Sequence, residues 1–257
     1  MNPANPAITP AIEVRRLSYR YPDGTAALAE VSFAVPPGQS VGLIGPNGAG
    51  KSTLLLHLNG ILPDDGHIDG EVLIDGQALS PKNLHAIRQK VGLLFQDPDD
   101  QLFCPTVFED VAFGPQQFHI SPPRLEQIVK ESLTQVGLSG FERRAPHRLS
   151  VGEKRRVCLA GVLACQPSVL VLDEPTSDLD PRARRGLKLL LHGLPATKII
   201  ATHDLEMVVQ LCSRALLLDE GRIVKDGPTV ELLADEDLML RHGLEKPHIL
   251  LHEHPHG

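Results

Sequence analysis

Short apolar runs alternate along the chain with segments long enough for helices, and four of the runs end on a polar residue. Residues 41–44 lead into Gly45, residues 92–95 into Gln96, residues 169–172 into Asp173 and Glu174, and residues 199–202 into His203. Runs of about four to eight apolar residues fit strands buried on both faces. One such run could equally be a buried piece of helix. Four of them, separated by helix-length sequence, predict a mainly parallel sheet in an α/β fold. Ligands of open parallel sheets gather at the carboxyl ends of the strands, so the four polar ends are expected to converge on one site.

Ahead of these runs, residues 13–19 and 31–35 read as shorter strands, separated by the turn signal Pro22-Asp23-Gly24. Between Gln96 and Ser150 the pattern changes. Pro98, Pro105, Pro115, Pro122 and Pro123 interrupt it and residues 124–136 read as a helix, which predicts a mainly helical insertion over about residues 97–160. A short acidic helix and a His-rich tail are expected after Pro228.

Composition narrows the picture. The chain has 257 residues, 42% of them apolar, with two Tyr, seven Phe and no Trp, so its core must be built mainly from aliphatic side chains. That suits a parallel sheet wrapped in helices. A net charge of −7 argues against nucleic acid as a partner, and the short basic stretches at Arg143–Arg144 and residues 182–185 read as solvated helix faces. Four scattered cysteines without a C-x-x-C pair (Cys104, Cys158, Cys165 and Cys212) read as buried, inert thiols of a reduced, cytosolic protein. Residues 1–10 have neither the charged nor the apolar region of a signal peptide. No apolar stretch approaches the ~20 residues that span a bilayer. A membrane function would therefore need another chain to supply the span.

The first strand end carries the chemistry. Gly45-Pro46-Asn47-Gly48-Ala49-Gly50-Lys51-Ser52 fits the P-loop template G-x-x-x-x-G-K-[ST]. Its glycines let backbone N–H groups curl around phosphate, Lys51 reaches the β- and γ-phosphates, and the Ser52 hydroxyl ligates Mg²⁺. Thr53 follows in a helix expected to begin at Lys51, whose N-terminus favours negative charge. A second metal carboxylate is expected at Asp173, at the end of an apolar run in the Walker-B manner. Glu174, next to it, is placed to polarise the attacking water as a general base.

These pieces, in this order, resemble an ABC-transporter ATPase over residues 12–227. Leu149-Ser150-Val151-Gly152-Glu153 stands where the family's Leu-Ser-Gly-Gly-Gln signature belongs, and Ser177-Asp178-Leu179-Asp180 resembles its D-loop. Gln96 is similar to the Q-loop glutamine, His203 to the switch histidine, and Tyr21 to the aromatic that stacks on adenine, although Tyr19 is nearby and either tyrosine could instead be a packing residue. The resemblance implies a P-loop NTPase fold with a small N-terminal antiparallel β subdomain and a helical subdomain. It divides the chain into a flexible N-terminus (residues 1–11), an ATPase domain (12–235) and a His-rich tail (236–257). It also implies ATP hydrolysis with Mg²⁺, in which Ser52, Asp173 and Gln96 hold the metal and His203 contacts the γ-phosphate. Ser150 and Gly152 would reach the ATP held by a second cassette, making the protein a head-to-tail homodimer or heterodimer.

Two positions depart from the signature. Val151 replaces a glycine, a costly exchange if that position needs φ > 0. Glu153 replaces the glutamine, and its spacing from Ser150 predicts a capping box.

The segment Phe95-Gln96-Asp97-Pro98-Asp99-Asp100-Gln101-Leu102-Phe103, continuing through residues 109–115, is similar to the energy-coupling-factor branch, and the Lys154-Arg155-Arg156 run agrees. That branch implies a peripheral subunit on the cytoplasmic face of the membrane, bound to integral transport subunits that import cobalt, nickel or a vitamin. His248, His252, His254 and His256, preceded by His242, are candidate transition-metal ligands and favour cobalt or nickel. A soluble ABC ATPase without a transport role is the alternative from another class.

Overall fold

The computed structural model describes residues 9–63, 69–118 and 120–250. The chain forms two compact units, one made of Met1–Arg88 with Pro195–Gly257 and the other of Gln89–Leu194. Its elements run β1 (Ile12–Arg20), β2 (Ala26–Val35), β3 (Ser40–Ile44), α1 (Lys51–Leu58), β4 (Asp69–Ile74), β5 (Gln77–Ala78) and α2 (Leu84–Lys90). The second unit follows with β6 (Val91–Leu94), α3 (Val107–Gln116), α4 (Pro122–Gln135), α5 (Val151–Ala164), β7 (Val169–Asp173) and α6 (Pro181–Gly193). The chain then returns to the first unit through β8 (Thr197–Ala201), α7 (Leu205–Leu211), β9 (Arg214–Asp219), β10 (Arg222–Pro228), α8 (Thr229–Ala234) and α9 (Glu236–Arg241).

In the first unit, β1 pairs antiparallel with both β2 and β4, and β5 extends the sheet beyond β4. Ile12, Val14 and Leu17 on β1 are buried, as are Leu28, Val31, Phe33 and Val35 on β2. Register shifts interrupt the β1–β2 pairing after Val14, close to Arg16 and Glu30, which both take positive φ. This irregularity is why the run at residues 13–19 does not alternate cleanly. In the parallel part of the unit, β3 lies between β8 and β9, with β10 antiparallel on the far side of β9. A Cβ on Gly42 would fall 2.5 Å from Val208 Cγ1, so a glycine here lets α7 pack directly onto β3.

In the second unit β6 and β7 form a parallel pair whose residues are all buried. Helices α3, α4 and α5 pack on one another through residues such as Val111, Leu133 and Val157. Thr106 and Glu109 close a capping box at the start of α3. Pro115 does not break α3. It lies one residue from the helix end, where a missing N–H removes only one terminal bond.

The four predicted strands are present as β3, β6, β7 and β8. The apolar run inside β9 was not anticipated as a strand, nor were β4, β5 and β10. The acidic segment after Pro228 is two helices, parted at Asp235, whose side chain accepts from Leu238 N. The tail boundary expected at residue 235 falls between them, and α9 buries Leu238 and Met239. Residues 1–8 and the tail from 251 onward, with His252, His254 and His256, lie outside the described residues. Among the described residues no helix is long and apolar enough to cross a membrane.

Helix α1 carries an uncommon buried polar group. His57 is 1% exposed, and its Nδ1 lies 2.8 Å from Thr53 O, a carbonyl that requires the proton on Nδ1. Nε2 is then an acceptor with no partner among the described residues. Burial lowers the His57 pKa below 6.5, and the bond to Thr53 O opposes this more weakly. Because the folded-state pKa is the lower one, His57 imposes no penalty above pH 6.5. As pH falls below 6.5 the unfolded chain takes up the proton first and stability drops. Thermal melts from pH 7.5 to 5.5 should show a steeper loss of Tm for the wild-type chain than for His57→Gln. Parallel pH profiles would contradict a neutral, buried imidazole.

Candidate active site

The loop after β3 is shaped by backbone that admits no side chain at two points. Gly45 has φ 152°, and a Cβ there would sit 1.9 Å from Leu218 O. Gly50 has φ 101°, and its Cβ would meet Ala27 O at 2.5 Å. Gly48 also has positive φ, but nothing lies within 4 Å of the position its Cβ would take. The turn joining β9 to β10 braces the loop from behind, with Gly221 N donating to Ala49 O at 3.0 Å. Lys51 Nζ folds inward and donates to the carbonyls of Gly45 and Pro46, both at 2.8 Å. Helix α1 starts at Lys51 with Gly50 as its N-cap, which has no side chain to cap the helix. An uncapped helix N-terminus beside an ammonium group fits a polyphosphate.

Tyr21 is tied to the same helix, its hydroxyl 2.8 Å from Thr53 Oγ1. Tyr19 packs edge-on against the rings of both Tyr21 and His57, at centroid distances of 5.1 and 4.6 Å. Both tyrosine rings therefore pack, and Tyr21 is in addition anchored through its hydroxyl to the helix that starts at Lys51. His203 stands exposed just beyond β8. Leu43 is level with Ala201 in the parallel pairing, so His203 emerges from the same carboxyl end as Gly45.

In the second unit Leu94 is level with Leu172, so Gln96 and the pair Asp173–Glu174 also leave from one end of their strands. Asp173 and Glu174 are each only 9% exposed, whereas Gln96 is exposed. Glu174 takes φ 44° and Asp178 φ 58°, which makes the turn after β7 sharply left-handed at two non-glycine residues. Ser177 holds this turn, with its N and Oγ both donating to Glu174 O, at 3.2 and 2.8 Å. Asp180 then caps α6 by accepting from Arg182 N and Ala183 N.

The signature residues begin α5. Ser150 is its N-cap, and Glu153 Oε2 accepts from Ser150 N at 2.8 Å and Ser150 Oγ at 2.9 Å, closing the expected capping box. The hydrogen bonds donated by Ser150 N and Oγ hold the carboxylate pKa of Glu153 below its ordinary value. Val151 is the first helical residue and has no positive φ, so the conformational objection to valine does not apply. Its side chain is 45% exposed. A Cβ on Gly152 would make only ordinary contact with Ala183 Cβ at 3.4 Å.

Several contacts that build this region were not read from the sequence, although most of their residues fall in the segments quoted for the resemblance. Arg155 reaches back to the residues after β6, Lys154 Nζ pairs with Asp99 Oδ1 at 2.6 Å, and Gln101 Nε2 donates to Cys158 O at 3.0 Å. Leu218 and Gly221 brace the phosphate loop, and only the turn residues Glu220-Gly221 hinted at the hairpin. The cysteines are free. Cys158 and Cys212 are buried as expected, and burial raises their thiol pKa to about 12. Cys104 and Cys165 are only half-buried, against the expectation, yet partial burial, joined at Cys104 by the Asp110 carboxylate, still raises theirs to about 11. His242 Nδ1 lies 2.7 Å from Asp219 Oδ2, and His248 sits in a short 3₁₀ turn. Among the described residues no three His, Cys, Asp or Glu side chains cluster to hold a metal ion.

Residues 28–177, more than half the chain, match the model of the ABC transporter family. The chain belongs to that family. It is 53% identical over 237 residues to a Gloeobacter violaceus protein named as an ABC transporter ATP-binding protein, an overlap covering 91% of this chain and 96% of that one. It is 50% identical to the energy-coupling factor transporter ATP-binding protein EcfA of Methanothermobacter thermautotrophicus, over 92% of this chain and 76% of that one. Among solved structures, cbiO1 from Clostridium perfringens, part of the ABC transporter complex cbiONQ, superposes with a TM-score of 0.78. It is 36% identical, over 91% of this chain and 94% of that one. The ATP-binding cassette MJ0796, captured as a post-hydrolysis dimer with ADP and phosphate, gives a TM-score of 0.75 at 26% identity, over 85% and 98% of the two chains. The ABC protein described here is thus an ATP-binding, ATP-hydrolysing cassette with the P-loop NTPase fold.

The two loop glycines should respond differently to a methyl group. Gly48→Ala meets open space and should cost only the ~1–2 kcal/mol of a left-handed alanine. Gly45→Ala drives its Cβ into Leu218 O and should abolish binding of a fluorescent ATP analogue. Equal nucleotide affinity in the two variants would show that Leu218 does not set the shape of the loop.

Proposed function

We propose that this ABC ATPase is the ATP-hydrolysing subunit of an energy-coupling-factor importer. It works on the cytoplasmic face of the membrane, paired with a second cassette and bound to integral membrane subunits, and its cargo is cobalt or nickel. The observation that carries the branch is the segment 95–103, held to α5 by the Lys154–Asp99 pair and by the bond from Gln101 to Cys158 O. The EcfA name of the Methanothermobacter relative and the cbiONQ membership of the Clostridium neighbour support the same reading. The His-rich C-terminus favours a transition-metal cargo over a vitamin.

In this reading the N–H groups of residues 47–52 and the Lys51 ammonium hold the β- and γ-phosphates, and the Tyr21 ring stacks on adenine. Ser52, Asp173 and Gln96 would hold Mg²⁺, a fit to the hard oxygen donors that this cation prefers. When bound, Mg²⁺ neutralises charge on the phosphoryl oxygens. Glu174 accepts a proton from the attacking water, and His203 donates a hydrogen bond toward the γ-phosphate. Ser150 and Gly152, at the N-terminal end of α5, serve the nucleotide of the partner cassette. The post-hydrolysis dimer of MJ0796 supports a paired assembly.

Glu174→Gln keeps the shape of the side chain and removes the base. Nucleotide binding should survive, turnover should fall by roughly 10² or more, and the ATP-loaded dimer should persist in size-exclusion chromatography. Near-normal hydrolysis would remove Glu174 from the base role. Partners captured from native membranes in mild detergent test the transport assignment. An integral scaffold with a small metal-specific subunit is expected. A vitamin-binding membrane subunit would overturn the cargo, and exclusively soluble partners would overturn transport.

A further inference from the structure

Arg155 is 1% exposed and is the bulkiest of the fully buried side chains. Its guanidinium bridges two loops and, among the described residues, forms no ion pair with a carboxylate. On one side Nη1 donates to Phe95 O at 3.1 Å and to Gln96 O. On the other, Nη2 donates to Ser177 O at 3.4 Å and to Ser177 Oγ at 3.2 Å. Ser177 Oγ in turn donates to Glu174 O at 2.8 Å. One planar group therefore joins the main chain at Gln96 to the turn that carries Glu174, and it does so from the second turn of the signature helix α5.

Space filling is a poor account of this residue. Burial lowers the guanidinium pKa, and the charges of Asp178, Asp97 and Glu174 only partly counter it. Nε has no hydrogen-bond partner among the described residues. A buried cation with an unmatched donor is a costly filler where an apolar side chain would serve. What arginine provides is reach in two directions from a rigid fork, which a lysine ammonium does not duplicate. Neighbouring contacts tie the same loop to α5: Lys154 to Asp99, Gln101 to Cys158 O, and Cys158 Sγ to Pro98 O at 3.7 Å.

We propose that Arg155 is a positioning residue that couples Gln96 to Glu174, so that both are set together by the placement of the signature helix. The proposal rests on the roles in hydrolysis assigned above to Gln96 and Glu174. A shift of α5 would be felt at the glutamine and at the base through one side chain, without Arg155 touching nucleotide.

The test is a double-variant cycle on the full-length chain in its assembled cassette dimer, using Arg155→Lys, Ser177→Ala and the two combined. Arg155→Lys should lower kcat by on the order of tenfold to a hundredfold, as a small misplacement of catalytic groups does. Its KM for MgATP should stay within about twofold, because the phosphate loop is untouched. Ser177→Ala should lower kcat less, and the combined variant should be no slower than Arg155→Lys alone, since both cut the same link. Multiplying losses in kcat, a rise in KM at constant kcat, or unchanged turnover in Arg155→Lys would each overturn the proposal. Should Arg155→Lys fail to fold, Ser177→Ala decides alone: reduced kcat at an unaltered Tm supports the coupling, and wild-type kcat overturns it. Failure of the base assignment is read separately, as near-normal hydrolysis by Glu174→Gln, and so is not confused with failure of the Arg155–Ser177 coupling.

Discussion

Much of the first unit depends on how closely one carbonyl approaches the main chain. Leu218 O lies where a side chain on residue 45 would have to go, so the strand leaving the sheet at β3 must do so through glycine. That contact sets the path of the phosphate loop, and Gly221 fixes it from the adjoining turn through Ala49 O. The loop then delivers the start of α1 at Lys51, with a glycine as its N-cap. Phosphate affinity is thus a consequence of backbone packing. The helix start at Lys51 has no side-chain cap from Gly50, and a helix N-terminus of this kind suits an anion.

The second unit solves a similar problem with side chains. Its strands also end in polar residues, but the loops beyond β6 and β7 are held by α5 through Arg155, Lys154 and the Gln101–Cys158 bond. Glu174 and Asp178 sit in left-handed backbone without being glycines, a strain that persists only where neighbouring bonds over-determine it. Ser177, bonded to both Glu174 O and the Arg155 guanidinium, supplies that determination. Backbone alone could hold the turn. A side-chain link from a helix allows the turn to respond when the helix moves.

The same contrast explains the tolerated departure in the signature. A valine is acceptable at residue 151 because the position is the first turn of a helix, where φ is ordinary, and because its side chain points away from close packing. The Ser150–Glu153 capping box turns the carboxylate back onto its own helix, where it bonds Ser150. A negative group therefore need not face an incoming phosphate.

Local chemistry made much of this protein legible in its sequence. The P-loop spacing located the phosphate cradle and the start of α1, apolar run lengths located β3, β6, β7 and β8, and strand-end positions singled out Gln96, Asp173, Glu174 and His203. The capping box followed from the interval between Ser150 and Glu153. These are properties of short windows, governed by backbone geometry and burial periodicity. Contacts between distant segments were decided only by the tertiary structure. Leu218 against Gly45, Tyr21 rather than Tyr19 on Thr53, and Arg155 between Gln96 and Ser177 join residues separated by 22 to 173 positions. A buried arginine and a surface arginine look the same in a basic run. Only packing, which sets how much water each can keep, tells them apart.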